Sequence, residues 1–139
     1  MREVSKMAEA GPVVLIYSDD EPVGQALRFV LGMDGVDVRL CPDAASLLAS
    51  PVLREAHCLV LKDGPAGVDG CALLRAARAR GARAPAILLV SLFTASLGAR
   101  AAEAGVWLVL ERPIMDNRLI DAIMDCVTSH RRQLLSTNT

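Results

Sequence analysis

Three things are missing from this sequence, and each closes off a class of function. No apolar run approaches the ~18 residues that a membrane-spanning helix needs, and the first twelve residues carry charges without the apolar core of an export signal. The expectation is a cytoplasmic protein with no membrane association. Charge of one sign is not in excess either: 15 Lys and Arg stand against 16 Asp and Glu, a formal net charge of −1. Without a basic field to attract phosphate backbones, nucleic acid is not an expected partner. Finally, Cys41, Cys58, Cys71 and Cys126 show neither CxxC spacing nor an accompanying histidine pattern. That points away from a zinc or dithiol site and towards reduced, structural thiols.

What is present is a chain of 139 residues, 53% apolar and 22% charged, the size and composition of one globular domain. Short apolar runs alternate with amphipathic stretches. Val13 to Tyr17 is followed by Pro22 to about Met33, Val36 to Cys41 by Asp43 to about Leu53, and Cys58 to Leu61 by Gly70 to Arg80. Ile87 to Val90 then leads to Ala95 to Ala104, and Val106 to Leu110 to a last stretch from Asp116 to about His130. Runs apolar at every position mark strands covered on both faces, as in a parallel sheet flanked by helices. Asp43 and Asp116 stand where helices should be capped, Gly81 and Gly105 where they should stop. Five βα units with right-handed crossovers predict an α/β, doubly wound (βα)5 domain with a parallel sheet of order 2-1-3-4-5, flavodoxin-like. Residues 1–12 read as a lead-in, 13–130 as the domain and 131–139 as a polar tail.

In such a sheet, chemistry sits at the carboxyl ends of the strands. Ser18-Asp19-Asp20-Glu21 follows the first run, an acidic cluster where a phosphate-binding loop would carry glycine and free backbone N–H groups. That disfavours a flavodoxin-like small-ligand module and favours a cation. The third run ends at Leu61-Lys62-Asp63, the fourth at Val90-Ser91 and the fifth at Glu111-Arg112-Pro113.

Asp19-Asp20-Glu21-Pro22-Val23, Gly67-Val68-Asp69-Gly70-Cys71-Ala72-Leu73-Leu74, Ala104-Gly105 and Glu111-Arg112-Pro113-Ile114 together resemble the receiver domains of two-component response regulators, of the CheY-like superfamily and its FixJ-like branch. The resemblance covers about Val13 to Val127. It implies phosphoryl transfer from a histidine kinase to an aspartate after the third strand, with acids after the first holding Mg²⁺. A hydroxyl on the fourth strand and a lysine on the fifth would grip the phosphoryl group. Carried over without gaps, the pattern puts Lys62 at the phosphoacceptor position, Val90 at the hydroxyl, Arg112 at the lysine and Val109 at the aromatic switch position. Asp19 aligns with the metal-binding acid, Ser18 with its partner, and Asp20 is an extra acid.

An aspartate is required because its carboxylate is the nucleophile; a protonated Lys62 cannot form an acyl phosphate, and Mg²⁺ would lose a ligand and face an ammonium. The expectation is therefore a stand-alone atypical receiver, not an enzyme and without a cofactor, in which Lys62 sits between Asp19 and Asp20 in place of the metal. It would act through phosphorylation-independent contact with a histidine kinase, a phosphotransfer protein or another regulator. The alternative is a conventional receiver that uses Asp63 as acceptor, Ser91 as hydroxyl and Mg²⁺ on Asp19 and Asp20. Two surfaces are candidates for contact by the same resemblance: the first helix with the loop after the third strand, and a dimer face of the fourth helix, fifth strand and fifth helix. Leu97, Ala101, Val106, Leu108 and Ile123 are the candidates on the second. Arg75, Arg78, Arg80 and Arg83 read as a solvated basic helix face, Trp107 as edge-strand packing, and His57 and His130 as isolated residues.

Overall fold

The computed structural model describes residues 11–18, 21–64, 69–112 and 117–137, with backbone alone at 21 and 134–137. Its elements are β1 (Val13–Tyr17), α1 (Glu21–Met33), β2 (Asp37–Cys41), α2 (Ala44–Leu48), a 3-10 turn (Leu53–Glu55), β3 (Cys58–Lys62), α3 (Gly70–Ala79), β4 (Ala86–Val90), α4 (Ala95–Ala104), β5 (Leu108–Glu111) and α5 (Arg118–Thr137). The strands pair in parallel in the order β2-β1-β3-β4-β5, as the sequence predicts.

Alternation along each strand divides the core in two. Leu15, Tyr17, Leu59, Leu61, Leu88 and Val90 point to one face, where α2, α3 and α4 cover them with Leu47, Leu74 and Leu97. Val14, Ile16, Val60, Ile87 and Leu89 point to the other, under Leu27 and Leu31 of α1 and Leu119, Ile123 and Val127 of α5. All five residues of β4 are buried, which is why its sequence is apolar throughout.

Helix boundaries follow from capping. Asp43 accepts the Ser46 N–H at 2.7 Å and Thr94 accepts that of Leu97 at 3.1 Å. Gly105 ends α4 at a φ of 81°, in the left-handed region that glycine enters without steric cost. The second helix is shorter than its periodicity suggests. Pro51 disfavours helical backbone at the residue before it, and the chain continues as a 3-10 turn that buries Leu53. The last helix, in contrast, continues past His130 to Thr137. At the other end of the domain Pro12 is buried and its carbonyl accepts the Asp37 N–H at 2.8 Å. The expected cap at Asp116 lies outside the described residues. All four cysteines are free and buried, and burial pushes the Cys41, Cys58 and Cys71 thiols up, away from the reactive thiolate.

Candidate functional site

The strand register decides which side chains meet at the carboxyl edge of the sheet. Tyr17 is level with Leu61, so Ser18 is level with Lys62, and Lys62 is itself paired with Leu89. One step further, the Asp63 N–H donates to the Leu89 carbonyl at 2.8 Å, which brings Asp63 level with Val90 and Glu111. The Arg112 N–H donates to the Val90 carbonyl at 2.8 Å and is thereby level with Ser91. Ser18, Lys62, Asp63, Ser91 and Arg112 thus crowd one edge, with Lys62, Asp63 and Arg112 half-buried. Asp19 and Asp20, the acids expected to flank Lys62, lie outside the described residues.

Lys62 and Asp63 point to opposite faces because they are neighbours on an extended backbone. Lys62 shares the face of Leu89, under α1 and α5. Asp63 turns to the α3 face, where its Oδ1 accepts the Gly70 N–H at 2.7 Å. Asp69 accepts the next two amides, Cys71 at 2.9 Å and Ala72 at 3.1 Å. Two carboxylates therefore satisfy three otherwise open N–H groups at the start of α3. The fit is close: a Cβ on Gly70 would run into Leu88 Cδ1 and sit 3.5 Å from Asp63 Oδ1. Replacing Asp63 by Ala is expected to lower stability by about 1–2 kcal/mol, as loss of a helix cap does. Asp63→Asn, which keeps an acceptor oxygen, should cost less than about half of that by the same reasoning. Urea denaturation of the two variants measures this, and an Ala variant as stable as the wild type would show that the bond carries no weight.

Arg112 and Glu111 tie down the loop after β4. The Arg112 guanidinium donates to Ser91 Oγ at 2.9 Å and to the main-chain carbonyl of Asp63 at 3.2 Å, not to the Asp63 carboxylate. Glu111 Oε2 accepts the Phe93 N–H at 2.6 Å. The Phe93 ring lies over Gly98 of α4, where a Cβ would come within 2.9 Å of it. Val90, at the expected hydroxyl position, is 1% exposed within the α2–α3–α4 core, and Val109, at the expected switch position, packs against the same core. The sequence singled out Lys62, Val90, Val109 and Arg112 but not the Glu111–Phe93 and Asp63–Gly70 bonds, and it offered Ser91 only as part of the alternative. A serine closing an all-apolar strand and a charged pair closing its neighbour were the signals available.

Several expectations are corrected. Leu97, Ala101 and Ile123, candidates for a dimer face, are core residues with exposures of 5%, 2% and 0%. Val106 and Leu108 are partly buried against the two cores. The resemblance selected these elements, but apolar side chains on an amphipathic helix mark the face that packs inward. Among the described residues, the large apolar side chains that reach solvent are Val23, Phe29, Val30 and Met33 on α1, Leu92 and Phe93 after β4, and Trp107. Arg78 is not part of a solvated basic face: its guanidinium donates to the Ala82 and Ala84 carbonyls at 3.2 and 2.6 Å. His57 and His130 are not isolated, their rings meeting edge to face with centroids 5.7 Å apart.

No family model matches the chain. Over 123 residues it is 30% identical to the C4-dicarboxylate transport transcriptional regulatory protein DctR of Rhodobacter capsulatus, covering 87% of this chain and 62% of that protein. Over 117 residues it is 32% identical to the transcriptional regulatory protein FixJ of Azorhizobium caulinodans, covering 84% of this chain and 55% of that one. It therefore spans less than two thirds of either relative. Among solved structures, the crystal structure of FixJ-N superposes with a TM-score of 0.68 at 27% identity, over 84% of this chain and 94% of that one. The receiver domain of the Francisella response regulator 1452 gives a TM-score of 0.74 at 21% identity, over 86% and 98%. The fold is that of response-regulator receiver domains, and over most of its length the chain is similar in sequence to the regulators DctR and FixJ.

Proposed function

We propose that this receiver domain works in two-component signalling without being phosphorylated, through contact with a protein partner, and that Lys62 stands in place of the phosphoacceptor aspartate. The observation that carries the proposal is the division of labour at the end of β3. Lys62 completes the strand, while the carboxylate of the next residue, Asp63, is turned to the α3 face and engaged by Gly70. An ammonium cannot act as the nucleophile for an acyl phosphate, and it opposes a divalent cation in the same pocket.

The surroundings support the same reading. A phosphoryl group needs a hydroxyl on β4 facing it and a mobile loop to report its arrival; here Val90 is apolar and buried, and the loop from Ser91 to Phe93 is held by Arg112 and Glu111. Ser91, the hydroxyl that an acceptor at Asp63 would need, is already bonded to the Arg112 guanidinium. Partner contact is better supported at α1 than at the α4–β5–α5 face, because α1 exposes Phe29 by 71% and Met33 by 74% whereas Leu97, Ala101 and Ile123 are core. The fitting partner is a helix with an apolar face, such as that of a histidine kinase or phosphotransfer protein.

Titrating beryllofluoride with Mg²⁺ into the protein and following the backbone amides of residues 91–94 by NMR tests the proposal. The amide resonances should stay where they are. Saturable shifts in that loop would mean that the pocket takes a phosphoryl mimic and that the proposal is wrong.

A further inference from the structure

At the opposite edge of the sheet, far from the strand ends discussed above, several chain segments are joined by groups that the signalling reading does not use. The His57 N–H donates to the Val13 carbonyl at 2.7 Å, and in return the Val13 N–H donates to His57 Nδ1 at 3.1 Å. The imidazole is thereby fixed with Nδ1 as acceptor, a role open only to the neutral ring. His130 of α5 meets this ring edge to face at 5.7 Å and is 7% exposed. Among the described residues its Nδ1 is sealed from solvent and has no hydrogen-bond partner. One turn earlier on α5, the Cys126 thiol donates to the Pro85 carbonyl at 3.4 Å, at the entry to β4.

We infer that His57 and His130 form an acid-sensitive clasp that holds the C-terminal half of α5 to the entry edge of the sheet, closed while both rings are neutral and opened when they take up protons. Protonating His57 at Nδ1 sets two donors against each other and breaks the bond from Val13. Protonating His130 places a cation, or an unsatisfied N–H, in a sealed site. Among the described residues the charged groups acting on the rings are His130, once protonated, and Arg131, both of α5, on His57, and Arg78, from α3, on His130, while burial holds the Cys58 thiol of β3 well above its ordinary value. Burial first, then His130 and Arg131 for His57 and Arg78 for His130, hold the two imidazoles below their ordinary 6.5. The unfolded chain consequently binds protons that the folded one refuses: stability is full above about pH 6.5 and falls as the pH drops from there towards the lowered folded values.

Trp107, the chain's single tryptophan, reports on this edge because its N–H donates to the Ala86 carbonyl at 2.8 Å, next to Pro85. Urea unfolding of the full chain, followed by Trp107 emission from pH 7.5 to 5.5, tests the clasp. The unfolding constant should rise on acidification by up to about tenfold per pH unit for each ring kept neutral, about a hundredfold for both. In the double variant His57→Asn and His130→Leu, the Asn oxygen still accepts the Val13 N–H and Leu fills an apolar site. Most of the dependence in this window should vanish. Equal slopes in wild type and variant would overturn the inference. So would a wild-type ring titrating at or above pH 6.5 by NMR, a reading that does not depend on the variant folding.

Discussion

Lys62→Asp is expected to raise the affinity of the domain for Mg²⁺. The strand register keeps position 62 level with Ser18, at the mouth of the acidic segment that follows β1. An aspartate there removes one positive charge and adds a hard oxygen ligand level with Ser18, which Asp19 and Asp20 follow in the sequence, and carboxylate oxygens are the donors that Mg²⁺ prefers. The change in local charge is two units, from +1 to −1, so the effect should be large. Isothermal titration should find Mg²⁺ bound at least about tenfold more tightly by the variant than by the wild type. Equal affinity would mean that Lys62 does not occupy the metal's position, and the assignment of the phosphoacceptor site to Lys62 would fail with it.

The second large effect concerns the seam between α3 and β4. Leu88 is 0% exposed, and its Cδ1 lies where a side chain on Gly70 would have to go. Leu88→Ala should cost about 3 kcal/mol, in the range found for buried Leu→Ala changes. Gly70→Ala, which adds a methyl to a full space, should cost about 1–3 kcal/mol on its own. Made in the Leu88→Ala background, the same methyl enters the vacated volume. The two costs should therefore fall short of additivity by at least about 1 kcal/mol in a double-mutant cycle. Simple additivity in urea denaturation would mean that the close approach of Gly70 to β4 is not what fixes the start of α3, and that Asp63 is free to leave Gly70.

The fold was legible because its strands are buried on both faces. Cys58 to Leu61 and Ala86 to Val90 can hardly be read as anything but central parallel strands, and the glycine at 105 and the aspartate at 43 mark helix ends by local chemistry alone. The position of Lys62 could be found the same way, by counting along an unbroken strand. Contacts between distant segments could not. Asp63 reads as a free carboxylate until the chain returns at Gly70, and Ser91 and Glu111 acquire partners only once β4 and β5 are side by side. The same limit hid the clasp, since nothing local relates His57, just before β3, to His130 near the end of α5. Burial was misjudged where the resemblance was the guide: a dimer face common among receivers suggested Leu97, Ala101 and Ile123, and sequence alone does not say which residues of those elements face the sheet and which face solvent.

Intact-protein mass spectrometry after incubation with acetyl phosphate and Mg²⁺, run on the wild type beside Asp63→Asn, tests the central claim most directly. A receiver with Lys62 at the acceptor position and Asp63 committed to α3 should show no phosphate-sized adduct in either protein. An adduct on the wild type that disappears in Asp63→Asn would make this a working phosphoacceptor with a displaced aspartate, and would contradict the account.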